Sequence, residues 1–360
     1  MGEVFAGRYE LLEPVAMGGM GTVWTIRDTD DGRLKVAKIL QQSDAASLLR
    51  FVREQSVRID HRHVVTPESW AGMDDRVLFT MPLVRGGSVA DLLRRFGALP
   101  ARWTATLLDQ TLQALEAVHA AGIVHRDVKP ANLLLEPTGR ARPHLRLTDF
   151  GIAAPVDSPR MTRAGGAIGT PGYMPPEQEH GADPDPRQDL YSVGVVGLEM
   201  LSGIRPPAQG PVGPDLPIPR ADDPRVAALV SLLRRAADPD SPSRPVDAAT
   251  MRSELAALDL ASMPAEPGEA IEVTDVFEAY DHPAAGTPLD ASQAPTRTPH
   301  LDQGSGTPTS SPGSRAARAP SGPPRDPAVR RPLGQTVKGA ALVGVGVVLL
   351  VLAAVLALSG

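Results

Sequence analysis

The sequence predicts an α+β protein in two lobes, followed by a disordered linker and one C-terminal transmembrane helix. Apolar residues alternate in short runs near the N-terminus, recur at helical spacing later, and form an uninterrupted run near the C-terminus. Strands followed by helices, rather than mixed with them, are typical of α+β folds. The expected boundaries are a globular domain over residues 1–260, with lobes at about 1–82 and 86–258, a linker over 261–337 and a membrane helix over 339–358.

The composition excludes several classes of protein. The 360 residues carry 36 Lys and Arg against 42 Asp and Glu, for a formal net charge of -6. Without a sustained basic block, the chain is not expected to bind nucleic acid, because such affinity rests on clustered cations that face phosphates. The sequence contains no cysteine, which excludes disulfides, thiolate metal sites and cysteine nucleophiles.

Short alternating runs near the N-terminus predict strands. Residues 9–15 and 21–26 are expected to form a hairpin, Asp31 and Gly32 mark the next turn, and residues 34–40 form a third strand.

Helical spacing begins after Gly87. Ser88 is a suitable N-cap, since its side chain can accept from a backbone N–H of the first turn. Residues 102–121 form an amphipathic helix, whose apolar face carries Leu107, Leu108, Leu112, Leu115 and Val118. Residues 190–201 are almost entirely apolar, so this helix should be buried on all sides.

The segment 261–337 is rich in Pro, Ser, Thr, Gly and Ala and contains few large apolar side chains. Such a segment buries too little surface to offset its conformational entropy, which predicts a disordered linker. Within it, residues 271–280 mix acidic and apolar side chains. We interpret them as part of the linker, with docking on the domain or on a partner as the alternative.

Residues 339–358 contain no charged or strongly polar side chain. A helix of this length rises about 1.5 Å per residue and spans roughly 30 Å, the thickness of the hydrocarbon core of a membrane. The basic residues that precede it are Arg325, Arg330, Arg331 and Lys338. The positive-inside rule then predicts a single-pass anchor in the cell membrane, with the globular domain in the cytoplasm.

A glycine-rich hairpin and a lysine in the next strand predict a nucleotide clamp. The hairpin reads Ala16-Met17-Gly18-Gly19-Met20-Gly21-Thr22-Val23, and its glycines let backbone N–H groups approach phosphates closely. Lys38 follows within a strand and needs an anionic partner if it points inward, for which Glu54 is a candidate. Taken alone, the hairpin is equally compatible with a flexible turn, and Lys38 and Glu54 with solvated surface residues.

Two further motifs predict the reaction centre. His125-Arg126-Asp127-Val128-Lys129-Pro130-Ala131-Asn132 precedes a short apolar run, and Asp149-Phe150-Gly151 follows a predicted strand. Two carboxylates, a lysine and a carboxamide on loops at strand ends can hold Mg²⁺ on a polyphosphate and orient a hydroxyl for in-line attack. Both motifs in this order are not expected by chance.

With these motifs the sequence resembles the eukaryotic-like (Hanks-type) protein kinase family, and most closely its bacterial membrane-bound Ser/Thr members. The resemblance covers residues 8 to about 258 and implies the bilobal protein-kinase fold. It implies ATP as the phosphate donor, Mg²⁺ or alternatively Mn²⁺ as the metal, and proteins with Ser or Thr hydroxyls as substrates. It also allows a homodimer in which one copy phosphorylates the other.

The resemblance assigns roles to the motif residues. Asp127 corresponds to the catalytic base, Lys129 to the residue that neutralises the transferring phosphoryl group, and Asn132 and Asp149 to the Mg²⁺ ligands. The catalytic set is completed by the pair of Lys38 and Glu54.

The nucleotide site that the resemblance implies lies between the lobes. Met81 corresponds to the gatekeeper, and the Pro82 carbonyl and the Val84 N–H to the partners of adenine. The expected nucleotide-binding positions are Val15, Ala16, Gly18, Gly19, Gly21, Val23, Val36, Lys38, Met81, Pro82, Val84, Lys129, Asn132, Leu134 and Asp149.

The resemblance further implies an activation segment that ends in Gly169-Thr170-Pro171-Gly172-Tyr173-Met174-Pro175-Pro176-Glu177. Thr170 would hydrogen-bond Asp127 and Lys129, which is the pattern of Ser/Thr kinases. Arg126 beside the base implies an anion on this segment, with Thr162 as the first candidate acceptor of phosphate. Ser158 and Thr170 are the next candidates.

Two structural contacts also follow from the resemblance. Glu177 would pair with Arg244, and Asp189 would anchor the catalytic loop from the buried helix.

The sequence departs from the family pattern at three places. Ala16 replaces the first glycine of the loop, so we expect modestly weaker ATP binding. Pro175 replaces a small residue, and residues 207–215 are too short for the helix that the family places there, which leaves the preference for protein substrates open.

Two other functions compete with an active Ser/Thr kinase. A nucleotide-binding pseudokinase that serves as a scaffold is disfavoured, because Lys38, Asp127, Asn132 and Asp149 are all present. A small-molecule phosphotransferase is disfavoured by the segment 169–177, which relatives of that kind generally lack.

Overall fold

The first lobe is built on a six-stranded antiparallel sheet. A computed structural model describes residues 3–18, 21–41, 59–73, 76–149, 154–155, 169–210, 212–213, 215–265 and 271–278. Its strands are β1 (Val4–Phe5), β2 (Tyr9–Gly18), β3 (Gly21–Asp28), β4 (Leu34–Gln41), β5 (Ser69–Met73) and β6 (Arg76–Pro82). Their order across the sheet is β1-β2-β3-β4-β6-β5. The three strands predicted from the sequence are confirmed as β2, β3 and β4.

The two faces of this sheet have different surroundings. One face carries the core of the lobe, in which Phe5, Ile26 and Leu78 are fully buried. Side chains alternate along a strand, and directly paired residues share a face. Lys38 and the residues paired with it, Val23 and Phe79, therefore point to the face opposite this core. The residues on this second face include Val23, Val36, Lys38, Phe79 and Met81.

Helices form the second lobe. They are α1 (Val89–Phe96), α2 (Ala101–Ala120), α3 (Pro176–Glu179), α4 (Pro186–Ser202), α5 (Pro224–Ala236) and α6 (Ala248–Ala257). Every residue of α4 from 188 to 201 is buried, which confirms the prediction for the apolar run. Leu112 and Leu115 of α2 and Leu229 and Leu233 of α5 are fully buried in the same core.

Polar caps fix the residues at which the helices begin. Ser88 accepts from the N–H of Asp91, and Asp91 accepts from the N–H of Ser88, a capping box that confirms the predicted start of α1. Asp185, Asp223 and Asp247 cap α4, α5 and α6, each with a side-chain oxygen on an N–H of the first turn.

Short buried strands position the loops between the lobes. β8 (Leu133–Leu135) pairs antiparallel with β9 (Leu145–Leu147), and β7 (Ile123–Val124) pairs antiparallel with β10 (Ala154–Pro155). The ends of β8 and β9 are fully buried in the core of the second lobe. The buried strands therefore fix the positions of the loop between β7 and β8 and of the residues that follow β9.

The packed domain extends beyond the boundary that the sequence predicts at residue 260. A 3-10 turn, Leu260–Ser262, follows α6, and Met263 is buried. Farther on, Ile271 and Val273 are only 5% and 1% exposed. Residues 261–265 and 271–278 thus belong to the domain. Their assignment to the linker was wrong, because Met263, Ile271 and Val273 are buried in the hydrophobic core of the second lobe.

The other predictions for the C-terminal region, a linker up to residue 337 and a helix over 339–358, lie outside the described residues. Within the described ranges, no helix is long and apolar enough to cross a membrane. Between Ser202 and Pro224 the described residues contain no helix, which agrees with the shortening expected at 207–215.

Candidate active site

Lys38 links the sheet of the first lobe to a loop of the second. Its Nζ contacts Oδ1 of Asp149, which lies 111 positions later in the chain. Burial alone would raise the pKa of the Asp149 carboxyl, but the charge and the hydrogen bond of Lys38 lower this pKa below its usual value. Asp149 is therefore an ionised carboxylate at neutral pH. Glu54, the partner expected for Lys38, lies outside the described residues, so that pair stays a prediction.

The predicted phosphate loop is the tip of the β2–β3 hairpin. Gly18 pairs with Gly21, and Val23 lies directly opposite Lys38 in β4. Gly21 has a φ of +136°, and a Cβ at this position would collide with the carbonyl of Ile39 in β4. Only glycine permits this approach, which places the hairpin tip beside the strand that carries Lys38.

Asn132 and Asp149 lie at the same end of the β8–β9 hairpin. Asn132 directly precedes Leu133, Asp149 follows Leu147 by two positions, and Leu133 pairs with Leu147. The Thr148 N–H donates to the Asn132 carbonyl at 3.0 Å, which continues the pairing almost to Asp149. The hairpin thus holds a carboxamide and a carboxylate near each other.

Asp127 receives hydrogen bonds from three side chains. The Thr170 hydroxyl donates to Oδ1 at 2.7 Å, and the Lys129 Nζ donates to Oδ2 at 2.7 Å. Asn132 donates to Oδ2 at 3.1 Å and to the Asp127 backbone carbonyl at 2.8 Å. Lys129 also donates to the Thr170 hydroxyl at 2.7 Å, so both contacts expected for Thr170 are present.

A fully buried carboxylate fixes the backbone of the loop that carries Asp127. Asp189 in α4 accepts from the N–H groups of His125 at 2.9 Å and Arg126 at 2.7 Å. His119, near the end of α2, donates from Nε2 to Asp189 at 2.8 Å. Burial opposes the charge of Asp189, but the hydrogen bonds from His119 and from the Arg126 N–H lower the pKa of Asp189 below its usual value.

The contact of His119 was not found from the sequence. One signal could have indicated it, since His119 follows Leu115 by four positions and so lies on the apolar face of α2. A polar side chain on that face needs a buried partner.

Arg244 holds the end of the predicted activation segment. Its Nη1 and Nη2 lie 2.6 and 2.9 Å from the two carboxylate oxygens of Glu177 in α3. The Arg244 side chain is fully buried and donates further to the carbonyls of Asp238, Arg187 and Pro239. The expected pair is therefore present in bidentate form, with its remaining donors satisfied.

Two residues of the site have a strained backbone. Arg126 and Asp149 adopt φ values of 66° and 69°, in the left-handed region that residues other than glycine rarely occupy. Such strain costs about 1–3 kcal/mol and persists only where the surroundings impose it. Asp189 holds the Arg126 N–H and Lys38 holds the Asp149 side chain, so both constraints are visible.

The remaining predicted positions divide into two groups. Val84, two positions after the end of β6, is buried, and Val15 in β2 is 40% exposed. Leu134 lies between two fully buried residues and so points away from the core. The predicted site residues outside the described ranges are Gly19, Glu54, Ser158 and Thr162.

The oxygen donors fit a metal ion that arrives with a polyphosphate. Across the part of the chain that the structure describes, no group of three or more His, Cys, Asp or Glu side chains could hold a metal ion. Mg²⁺ at phosphate sites commonly takes one or two protein ligands and completes its shell with phosphate oxygens and water. Asn132 and the ionised Asp149 can supply those protein ligands.

A strand-rich lobe that presents Lys38 and a helical lobe that presents Asp127 and Asp149 define a two-lobed phosphotransfer domain. The chain belongs to the protein kinase family, because the family model of the protein kinase domain matches residues 9–213. This confirms the family on which the resemblance rested and the bilobal arrangement of sheet and helices.

Similar proteins are bacterial and are named as Ser/Thr-protein kinases. PknA of Mycobacterium tuberculosis is 39% identical over 216 residues, which cover 57% of this chain and 49% of PknA. The kinase pkn3 of Myxococcus xanthus is 33% identical over 280 residues, which cover 72% of this chain and 51% of pkn3. PkaA of Streptomyces coelicolor is 37% identical over 219 residues, or 56% and 40% of the two chains. The chain spans about half the length, or less, of these relatives.

Proposed function

We propose that the chain is a Ser/Thr protein kinase that transfers the γ-phosphate of ATP to hydroxyl groups of protein substrates. The observation that carries this proposal is the hydrogen bond from the Thr170 hydroxyl to Asp127, with Lys129 donating to both. A carboxylate that accepts from an alcohol beside a cation is suited to orient and deprotonate an attacking hydroxyl. The names of the relatives support Ser and Thr as the acceptors.

Each residue of the site has one task in this reaction. Asp127 accepts the proton of the substrate hydroxyl as the hydroxyl oxygen attacks the γ-phosphorus. The bond from this phosphorus to the β-phosphate oxygen breaks, ADP leaves, and Lys129 faces the charge of the transferring group. Lys38 holds the phosphates from the side of the sheet. Mg²⁺ bound to Asn132 and Asp149 would supply neutralisation of the charge on the phosphate oxygens.

Activation by autophosphorylation is also part of the proposal. Arg126 directly precedes the base, and a phosphate on the activation segment would pair with its guanidinium group. Thr162 is the first expected acceptor and Ser158 the second. Thr170 is less suitable than either, because its hydroxyl already bonds Asp127 and Lys129.

Attachment to the cell membrane, with the kinase domain in the cytoplasm, is proposed from the apolar run at 339–358 and the basic residues before it. Deletion of residues 339–360 should release the protein from membranes. If the shortened chain still sediments with membranes, the anchor lies elsewhere.

The Asp127→Asn variant of the full-length chain tests the enzyme. Incubated with γ-labelled ATP, Mg²⁺ and a Ser/Thr-containing protein, it should incorporate at least about 100-fold less label than the wild type. Asp222→Asn removes the same charge from an exposed turn and should incorporate label like the wild type. Equal background incorporation by all three proteins would overturn the kinase and favour a nucleotide-binding scaffold.

A further inference from the structure

Residues 271–278, called the strap from here on, cross the loop that leaves the first lobe. This exit loop comprises residues 85–87, between β6 and α1. The Val276 N–H donates to the Arg85 carbonyl at 2.8 Å, and the Arg85 Nε donates to Asp275 Oδ2 at 2.7 Å. Backbone and side chain of one residue in the exit loop therefore both bind the strap.

The strap is packed into the second lobe as well. Ile271 and Val273 belong to its hydrophobic core. Val273 exchanges two backbone hydrogen bonds of 2.9 Å with Gly139, which lies between β8 and β9. The strap thus runs from the turn of the β8–β9 hairpin to the exit loop.

Gly86 is the point at which the exit loop, the strap and β8 meet. A Cβ at Gly86 would lie 2.5 Å from the Leu135 carbonyl oxygen and 2.6 Å from Val273 Cγ1. The Gly86 N–H donates to the Leu135 carbonyl at 2.7 Å, and the Leu135 N–H donates to the Gly87 carbonyl at 2.9 Å. The exit loop is held between β8 on one side and the strap on the other, and this spacing requires glycine.

This position connects the strap to the nucleotide site. Arg85 directly follows Val84, whose N–H is an expected partner of adenine, and β8 begins directly after Asn132. Two consecutive glycines in the exit loop have wide conformational freedom. The position of the backbone expected to bind adenine, residues 82–84, therefore depends on contacts from outside the exit loop. The strap supplies two of these contacts, the hydrogen bonds of Arg85 with Val276 and Asp275.

We propose that the strap is a positioning element for ATP, which fixes the adenine-binding backbone by holding Arg85 and Gly86 against β8. This inference rests on the kinase function proposed above. Arg85, Val273 and Asp275 act through the backbone at 82–84 and not by contact with the nucleotide. A protein chain that ends before residue 271 would lack this support.

Asp275→Asn in the full-length chain tests the proposal, with Glu272→Gln as a matched control. Both changes remove one carboxylate charge from the strap, but Glu272 lies 3.8 Å from Arg140, which is 75% exposed and away from the exit loop. We expect Asp275→Asn to weaken the binding of a non-hydrolysable ATP analogue and to raise the KM for ATP, each about two- to fivefold. Its kcat should stay within about twofold of the wild type, and Glu272→Gln should change neither quantity.

A charge exchange separates positioning from a folding defect. Arg85→Asp and Asp275→Arg should each weaken binding of the analogue, and the double variant should recover most of the loss because the pair re-forms in reverse. Equal affinity in the wild type and in all single variants, or no recovery in the double variant, would overturn the strap and leave the kinase intact. A wild-type chain that binds no analogue would overturn both.

Discussion

At the scale of single residues, the Thr170 hydroxyl is hydrogen-bonded to both Asp127 and Lys129. It donates to Asp127 and accepts from Lys129 at 2.7 Å in both cases. Replacing the hydroxyl with a methyl group leaves a carboxylate and an ammonium group each short of one partner, and such losses cost more than the net worth of a hydrogen bond.

Thr170→Val should therefore lower kcat about 10- to 100-fold, because Asp127 and Lys129 lose the group that aligns them. Thr170→Ser keeps the hydroxyl and should retain most of the activity. Steady-state kinetics with a protein substrate measures both. Wild-type turnover in the valine variant would show that Thr170 does not order the catalytic residues.

The residues of the site were predictable from the sequence only where a motif carries them. Asp127, Asn132 and Asp149 stand in recognisable motifs, whereas His119 belongs to none. The contact between Lys38 and Asp149 joins segments 111 positions apart and depends on how the two lobes meet. Local residue patterns do not show which residues of the two lobes come into contact in space.

At the scale of elements, the pair of Arg244 and Glu177 holds α3 in place. This helix has only four residues, too few to be stable by itself, so its position depends on tertiary contacts. Arg244 is fully buried, and Glu177 is 25% exposed. Removing one member of a buried pair leaves the other without compensation for its lost hydration.

Arg244→Met should lower the free energy of unfolding by about 3 kcal/mol. This value is at the lower end of the range for breaking a buried ion pair, because Glu177 is partly solvated. The control is Arg235→Met, whose pair with Glu254 is nearly half exposed and should contribute less than about 1 kcal/mol. Urea unfolding followed by circular dichroism measures the free energy of unfolding of each. Equal losses in the two variants would contradict the ranking by burial.

Periodicity predicted the helices and strands well, but composition predicted the end of the domain poorly. The average over 261–337 is that of a linker, yet Ile271 and Val273 are buried. These two side chains, together with backbone hydrogen bonds to Gly139 and Arg85, dock the short segment on the domain. An average over a long segment does not detect so few residues.

At the scale of the whole molecule, buried carboxylates determine the response to acid. Asp28 in the first lobe is fully buried and accepts from Arg8 at 2.8 Å and Lys35 at 2.9 Å. The hydrogen bond from Arg8 is the largest cause that lowers the pKa of Asp28 far below its usual value. In the second lobe, the pKa of Asp189 is lowered as well.

A carboxyl whose pKa is lowered by folding stabilises the protein above its unfolded pKa of about 3.9, and this contribution is lost as the pH falls toward the folded pKa. The free energy of unfolding should thus decrease as the pH drops below about 4. Asp28→Asn should be less stable at pH 6 and show a shallower decrease in acid, whereas Asp222→Asn should follow the wild type. Parallel pH profiles for all three proteins would exclude Asp28 as a cause.

The anchoring of the loop at residues 125 and 126 by Asp189 bears on how the proposed kinase activity is lost on heating. The loop backbone is bonded to a helix at the centre of the hydrophobic core, so it cannot loosen until that core comes apart. Where an active-site loop unfolds locally before the rest of a protein, activity is lost at a lower temperature than the helical signal. Here inactivation and loss of the helical signal should occur at the same temperature, and brief warming below that temperature should leave no inactive but folded form.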